Sequence, residues 1–212
     1  MIKLKLHTGI LLFLLTLLTA CGSDEPYSKG SDYRELPNFE KSNTPQVVLF
    51  FSASCPHCYK FDSVFEKWVE KKPEGVVVER IPVNFGHDSW TLLQKAYATL
   101  RTLNIQDEMS LKMFEAVQDK NYWLGDAKAV ASWLAIHGYD VSTTEKAYSS
   151  EQAKELLKAY YAAEMRYNVR GIPRAIVNGK YEIKIKSLEG EDDTKRLQNL
   201  ENIIDYLLAK DE

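Results

Sequence analysis

The stretch from Val47 to Ile81 restricts what this chain can fold into more than any other part of it. Val47-Val48-Leu49-Phe50-Phe51-Ser52 is a continuous apolar, β-branched and aromatic run, the pattern of a strand buried on both faces. It passes through Ala53-Ser54 into Cys55-Pro56-His57-Cys58. Beyond the cysteines, Phe61, Val64, Phe65, Trp68 and Val69 recur at helical spacing and make one apolar face. Lys71 and Lys72 suit the C-terminal end of that helix, and Pro73 with Gly75 stop it. Val76-Val77-Val78-Glu79-Arg80-Ile81 is a second strand, so the stretch is a β-α-β unit with both cysteines at the start of its helix.

The pattern then changes. Between Phe85 and Met165 the periodicity predicts helices over 89–102, 106–119, 126–137 and 151–166, with Gly138 ending the third, and no convincing strand. Strand character returns at 174–177, Asn178-Gly179 suits a two-residue type I′ turn, and 180–186 continues the hairpin. Leu197, Leu200, Ile204, Leu207 and Leu208 form the apolar stripe of a last helix. A short strand is expected within 31–36. The fold class is therefore α/β, with an all-helical block inserted between strands. Trp68, Trp90, Trp123 and Trp133 are expected in the core or at the domain junction.

The amino terminus belongs to export. Lys3 and Lys5 supply a positive start, Ile10 to Leu18 a short apolar segment of about nine residues, and Leu18-Thr19-Ala20 leads into Cys21. That segment is too short for a membrane-spanning helix. The small residues before a cysteine resemble a lipobox, which implies cleavage before Cys21 and a lipid anchor there. The alternative is an ordinary leader with an incidental cysteine. Gly22 after the cysteine, in place of aspartate, implies the outer membrane by the common sorting rule. Residues 1–20 are thus expected as a lipoprotein signal peptide and 21–26 as a tether.

The whole chain carries 27 basic against 30 acidic residues. Loss of Lys3 and Lys5 with the leader leaves 25 against 30, a net of −5, and nothing in this balance points to nucleic acid. With Cys21 lipidated, only Cys55 and Cys58 remain of the three cysteines. A bond across two residues closes almost no loop and makes a poor structural staple, so a close pair in an oxidising compartment points to redox work. Zinc would need two further ligands, and no second Cys pair or Cys/His cluster supplies them. A c-type haem would need histidine directly after the second cysteine, where Tyr59 stands. His87 and His137 sit in no metal-spaced motif and read as loop and helix-end residues. No metal and no cofactor are expected.

The position of the pair has a chemical consequence. At the first turn of a helix, unpaired N–H groups and the positive end of the helix dipole surround the first sulfur and stabilise the Cys55 thiolate. His57 adds a donor or a positive charge, and Pro56 lacks an N–H that would have gone unsatisfied there. A stabilised thiolate leaves readily, so the disulfide should be passed on to other proteins. Pro173, in Gly171-Ile172-Pro173 before a strand, is by statistics a trans residue, whereas its place after a β-α-β unit and before a hairpin favours cis.

These residues resemble the thioredoxin fold and, more closely, its DsbA family of envelope thiol oxidases. Phe50-Phe51-Ser52 before Cys55-Pro56-His57-Cys58-Tyr59, then Pro73-Glu74-Gly75-Val76, Val83-Asn84-Phe85, Phe114-Glu115-Ala116-Val117-Gln118 and Arg170-Gly171-Ile172-Pro173 to Asn178-Gly179-Lys180-Tyr181 match in order. The resemblance runs from about Tyr27 to the end. It implies a thioredoxin-like domain over 27–84 plus 161–212 and a helical insertion domain over 85–160. It implies Cys55 as the attacking and accepting sulfur, Cys58 as its buried partner, His57 as a tuning residue and Pro173 as a cis-proline facing the pair. Ile172 would hold the client as an added strand, with plain core packing as the other account of that residue. The family is itself a reference case for a depressed cysteine pKa and a strongly oxidising pair, so those tendencies come with the resemblance and not from the residues.

The resemblance also implies partners: reduced, unfolded exported proteins as clients, a quinone-linked DsbB-type membrane oxidase as recharging partner, and a monomer in the periplasm anchored through Cys21. Three departures stand out. Leu49 occupies a position where the family often has a buried glutamate, and Asp62 and Arg80 stand where it has a glutamate and a lysine. Asp62 and Arg80 either keep part of a proton-managing network near Cys58 or form a surface ion pair. Ala53-Ser54 are small where aromatic residues often sit, which weakens apolar contact with clients. Two other functions stay open: a disulfide reductase or isomerase, though a separate N-terminal dimerisation domain is not expected, and a peptide-binding holdase lipoprotein with vestigial cysteines.

Overall fold

A computed structural model describes residues 25–188, 190 and 192–210. Its centre is a five-stranded sheet of β1 (Tyr33–Glu35), β2 (Gln46–Phe51), β3 (Val77–Pro82), β4 (Arg174–Val177) and β5 (Tyr181–Ile183), in spatial order β1-β5-β4-β2-β3. Only β2 and β3 are parallel, as a β-α-β crossover requires. β4 lies antiparallel to β2, with Leu49 opposite Ala175, and the β4–β5 hairpin and β1 complete the sheet. Asn178 and Gly179 both take positive φ, at 49° and 69°, as the type I′ turn demands. The Ile172–Pro173 peptide bond is cis.

Alternation along the strands divides the core in two. Val47, Leu49, Ala175 and Val177 face α1 (Pro56–Val69) and α7 (Asp193–Ala209), packing on Phe61, Phe65, Trp68, Leu200, Ile203 and Ile204. Val48, Phe50 and Ile176 face the other way, onto the helical block. Phe65 and Trp68 are essentially fully buried, each worth roughly 2–3 kcal/mol on transfer from water.

The block comprises α2 (Asp88–Thr102), α3 (Gln106–Phe114) continued by a π-helical turn over Glu115–Asp119, α4 (Ala127–Ile136), α5 (Val141–Tyr148) and α6 (Glu151–Arg166). It leaves the sheet where Glu164 accepts hydrogen bonds from the amides of Asn84 (3.1 Å) and Phe85 (3.2 Å), which lets a carboxylate lie buried at the junction. α6 runs unbroken through residue 161, so one rigid element serves both the block and the layer against the sheet. Four features differ from the sequence expectation. β5 stops at Ile183, and Ile185–Leu188 forms a 3-10 turn where the strand was expected to run to residue 186. α1 ends at Val69, before Lys71 and Lys72. α5 appears where no helix was expected, held by Asp140, whose carboxylate accepts from the Thr143 amide at 2.7 Å. Trp123 is 64% exposed, and so is not a core residue, whereas Trp68 and Trp133 are buried. His87 precedes α2 and His137 ends α4. Among the described residues no helix is long and apolar enough to cross a membrane.

Candidate functional site

β2 ends at Phe51, and the chain turns through Ser52–Ser54 to bring Cys55 to the N-cap of α1 with extended dihedrals. The turn is built by two hydrogen bonds to Ser52: the Cys55 amide donates to its carbonyl at 3.0 Å and the Ser54 amide to its hydroxyl at 3.3 Å. Pro56 occupies the first helical position, where its missing N–H costs nothing. Cys55 Sγ takes the place of a capping oxygen and accepts from the Cys58 amide at 3.2 Å. Both cysteines are free thiols. Pro56 and His57 are exposed, while Cys58, one turn further in, is 2% exposed.

The two sulfurs are driven apart electrically. Hydrogen bonding from the Cys58 thiol first, then from the Cys58 and His57 amides, together with the charge of His57, lowers Cys55 from 9.0 to about 6 against the opposing effect of burial. Burial first, and then the hydrogen bond to Cys55 and the nearby charges of Cys55 and Asp62, push the Cys58 thiol far up. At neutral pH Cys55 is therefore a thiolate and Cys58 a thiol. The Cys55 thiolate absorbance of the reduced protein is expected to titrate with a midpoint near 6, and His57→Ser to move that midpoint upward. A midpoint close to that of a free thiol would contradict the arrangement.

Facing the pair, the Ile172 carbonyl lies 4.0 Å from Cys55 Sγ, in the peptide that precedes Pro173. Below it, Asp62 sits one helical turn beyond Cys58 and is 1% exposed, and Arg80, on β3, is 4% exposed. Arg80 Nε donates to Asp62 Oδ1 at 3.3 Å and its Nη2 to Glu66 Oε2, and the guanidinium stacks 5.1 Å from the Phe65 ring. Burial raises the Asp62 carboxyl and Arg80 only partly restrains it. Asp62 Oδ2 has no hydrogen-bond partner among the described residues.

Known proteins are similar to this chain over most of its length. The DSBA-like thioredoxin domain matches residues 46–204. The thiol:disulfide interchange protein DsbA of Pseudomonas syringae pv. tomato is 33% identical over 184 residues, 85% of each chain. The crystal structure of Pseudomonas aeruginosa DsbA superposes with a TM-score of 0.76 at 29% identity, covering 88% of this chain and 95% of that one. A cysteine-to-serine variant of Proteus mirabilis DsbA, solved with a non-covalently bound peptide, shares the fold with a TM-score of 0.76 at 24% identity, over 87% and 99% of the two chains.

The chain belongs to the DsbA family. It is a thiol:disulfide interchange oxidoreductase of the DsbA type, with the thioredoxin fold and inserted helical domain of that family. In this DsbA-type chain Cys55, Cys58, His57, Ile172 and Pro173 converge on one spot at the end of the sheet. Asp62 and Arg80 lie beneath it as a buried pair, and the surface ion-pair account of them fails on their burial. Leu49, also buried, faces α1 and α7 in the apolar layer. Cys21 and the leader lie outside the described residues.

The structure adds residues to which the sequence had assigned no role. Gln118 Nε2 donates to the carbonyls of Ala53 (2.7 Å) and Cys55 (3.1 Å). The Tyr59 hydroxyl donates to Asp119 at 2.8 Å, and its ring stacks on Phe114. These contacts make the π-helical turn a wall of the cysteine site, and only the match of Phe114 to Gln118 with the family pattern hinted at it. Gln118→Ala removes the side-chain donor to the part-buried Ala53 carbonyl, while the Cys55 carbonyl keeps the Tyr59 amide at 3.1 Å, and is expected to cost about 1 kcal/mol in urea unfolding. No change in midpoint would show the contact to be idle.

Proposed function

We propose that the Cys55–Cys58 disulfide is donated to reduced, unfolded proteins exported into the periplasm. A client thiolate attacks Cys55, the bond between Cys55 and Cys58 breaks, and Cys58 leaves and takes up a proton, giving a mixed disulfide at Cys55. The client's second thiolate then attacks its own bridged sulfur and Cys55 departs as a thiolate. The client loses two electrons and two protons, and the pair gains the electrons. The observation that carries this direction is the seat of Cys55 Sγ at the N-cap of α1, accepting from the Cys58 amide at 3.2 Å, which lowers Cys55 to about 6; a thiolate so stabilised is a good leaving group and favours the dithiol over the disulfide.

In this reading Ile172 offers its backbone to an extended client beside Pro173, His57 tunes Cys55, and Asp62 with Arg80 manages the Cys58 proton. A quinone-linked membrane oxidase of the DsbB type restores the disulfide. The protein acts as a monomer held to the envelope by a lipid on Cys21, at the outer membrane, with residues 27–84 and 161–212 as the thioredoxin-like unit and 85–160 as its insertion.

Equilibration with glutathione buffers tests the direction. A potential well above about −200 mV supports donation, and one near the roughly −270 mV of cytosolic thioredoxin overturns it in favour of a reductase. Mass spectrometry of the mature amino terminus tests the anchor, and an unmodified Cys21 refutes it.

A further inference from the structure

The face of the sheet beside the Ile172–Pro173 loop carries a cleft of about 530 Å³. Its charged lining is Arg34, Arg170, Arg174, Lys184 and Lys186 against a single carboxylate, Glu182. Arg174 is buried and fully engaged: it bonds Glu182 at 2.7 Å through Nε and the Tyr167 carbonyl at 2.8 Å through Nη1. Arg34 reaches the same Glu182 oxygen at 2.7 Å. One carboxylate is thus shared by two guanidinium groups and neutralises only one of them. Arg170, Lys184 and Lys186 have no ion-pair partner among the described residues. The chain as a whole is net −3, so this cationic lining runs against the sign of the molecule and is local.

The cleft shares Ile172 with the cysteine site, where the Ile172 carbonyl stands 4.0 Å from Cys55 Sγ. A polypeptide bound through a cysteine at Cys55 and extended past Ile172 advances about 3.3 Å per residue, so side chains within roughly four residues of its cysteine come over the cleft. We infer that this cleft selects clients with acidic residues flanking the reacting cysteine, Arg170, Lys184 and Lys186 supplying the attraction and the Arg34–Glu182–Arg174 group fixing the floor. The inference rests on the client-oxidation reading above. Steering of this kind acts mainly on the rate of encounter and weakens with salt, since screening shortens to about 10 Å at 0.1 M.

The test uses the oxidised protein and three synthetic dithiol peptides of equal length, with Asp and Glu, Ser and Asn, or Lys and Arg flanking the cysteines. Second-order oxidation rates are read by stopped flow at low and high salt. The acidic peptide is expected to react at least about tenfold faster than the basic one at low salt, with the gap closing as salt rises. In the triple variant Arg170→Glu, Lys184→Glu, Lys186→Glu, shown by circular dichroism to be folded, the order of the peptides reverses. Equal rates on acidic and basic peptides overturn the inference, and so does binding of anionic phospholipid vesicles without discrimination among peptides. If the unaltered protein fails to oxidise even the neutral peptide, the oxidase reading itself falls and takes this inference with it.

Discussion

Cys55→Ser is expected to abolish disulfide transfer to a dithiol peptide, a loss of roughly a thousandfold or more. Cys58 cannot substitute, because it is buried and its thiol is held protonated by burial and by the neighbouring charges. Cys58→Ser is expected to behave differently. The donor to Cys55 Sγ is the Cys58 backbone amide, which serine retains, so the Cys55 thiolate keeps that partner while losing the thiol's hydrogen bond. Offered a disulfide-bonded client peptide, that variant attacks it through Cys55, releases one client sulfur as a thiolate and keeps the other as a covalent adduct. Mass spectrometry should find the adduct on Cys58→Ser and none on Cys55→Ser. An adduct on Cys55→Ser would reverse the roles of the two sulfurs.

The second large effect concerns Arg80. Arg80→Ala strands Asp62 in the interior without its guanidinium, and Glu66 loses the same partner at the rim. Removing one member of a buried ion pair costs about 3–5 kcal/mol. The loss should depend on pH with a definite sign. Burial already raises Asp62, and without Arg80 it rises further. A carboxyl whose folded value exceeds its unfolded one binds more protons when folded, so stability falls as pH rises through the interval between the two. The deficit of Arg80→Ala should therefore be smaller in acid than at neutral pH in urea titrations. Adding Asp62→Leu removes the stranded charge and should recover most of the loss. A deficit independent of pH would place the cost in lost packing on Phe65 instead.

Much of the architecture was legible because its signals are local. The β2 run and the Phe61–Trp68 stripe have the two periodicities that burial imposes on strand and helix, and Asn178-Gly179 carries the one backbone geometry a two-residue turn accepts. What stayed hidden depends on neighbours distant in sequence. α5 opens on Val141-Ser142-Thr143-Thr144, residues that do not favour a helix, and it forms because Asp140 caps it and Thr144, Ala147 and Tyr148 are buried against the block. Nothing in the spacing of Glu115–Asp119 marks a π-turn, yet it brings Gln118 and Asp119 to the cysteine loop. Asp62 and Arg80 look alike on paper whether exposed or buried, and only the packing of α1 on β3 decides it. Trp123 shows the opposite failure, a residue whose size argues for the core but whose loop leaves it outside.

The two borders of the sheet have a consequence of their own. β1 is only three residues long, with Arg34 and Glu35 both held in ion pairs, and β3 ends at Pro82, which has no amide hydrogen to offer. If the protein oxidises unfolded chains, as proposed above, it risks having them zip onto any free strand. Here the borders are short, charged or blunted, so sticky polypeptides find little purchase except where the cysteines wait.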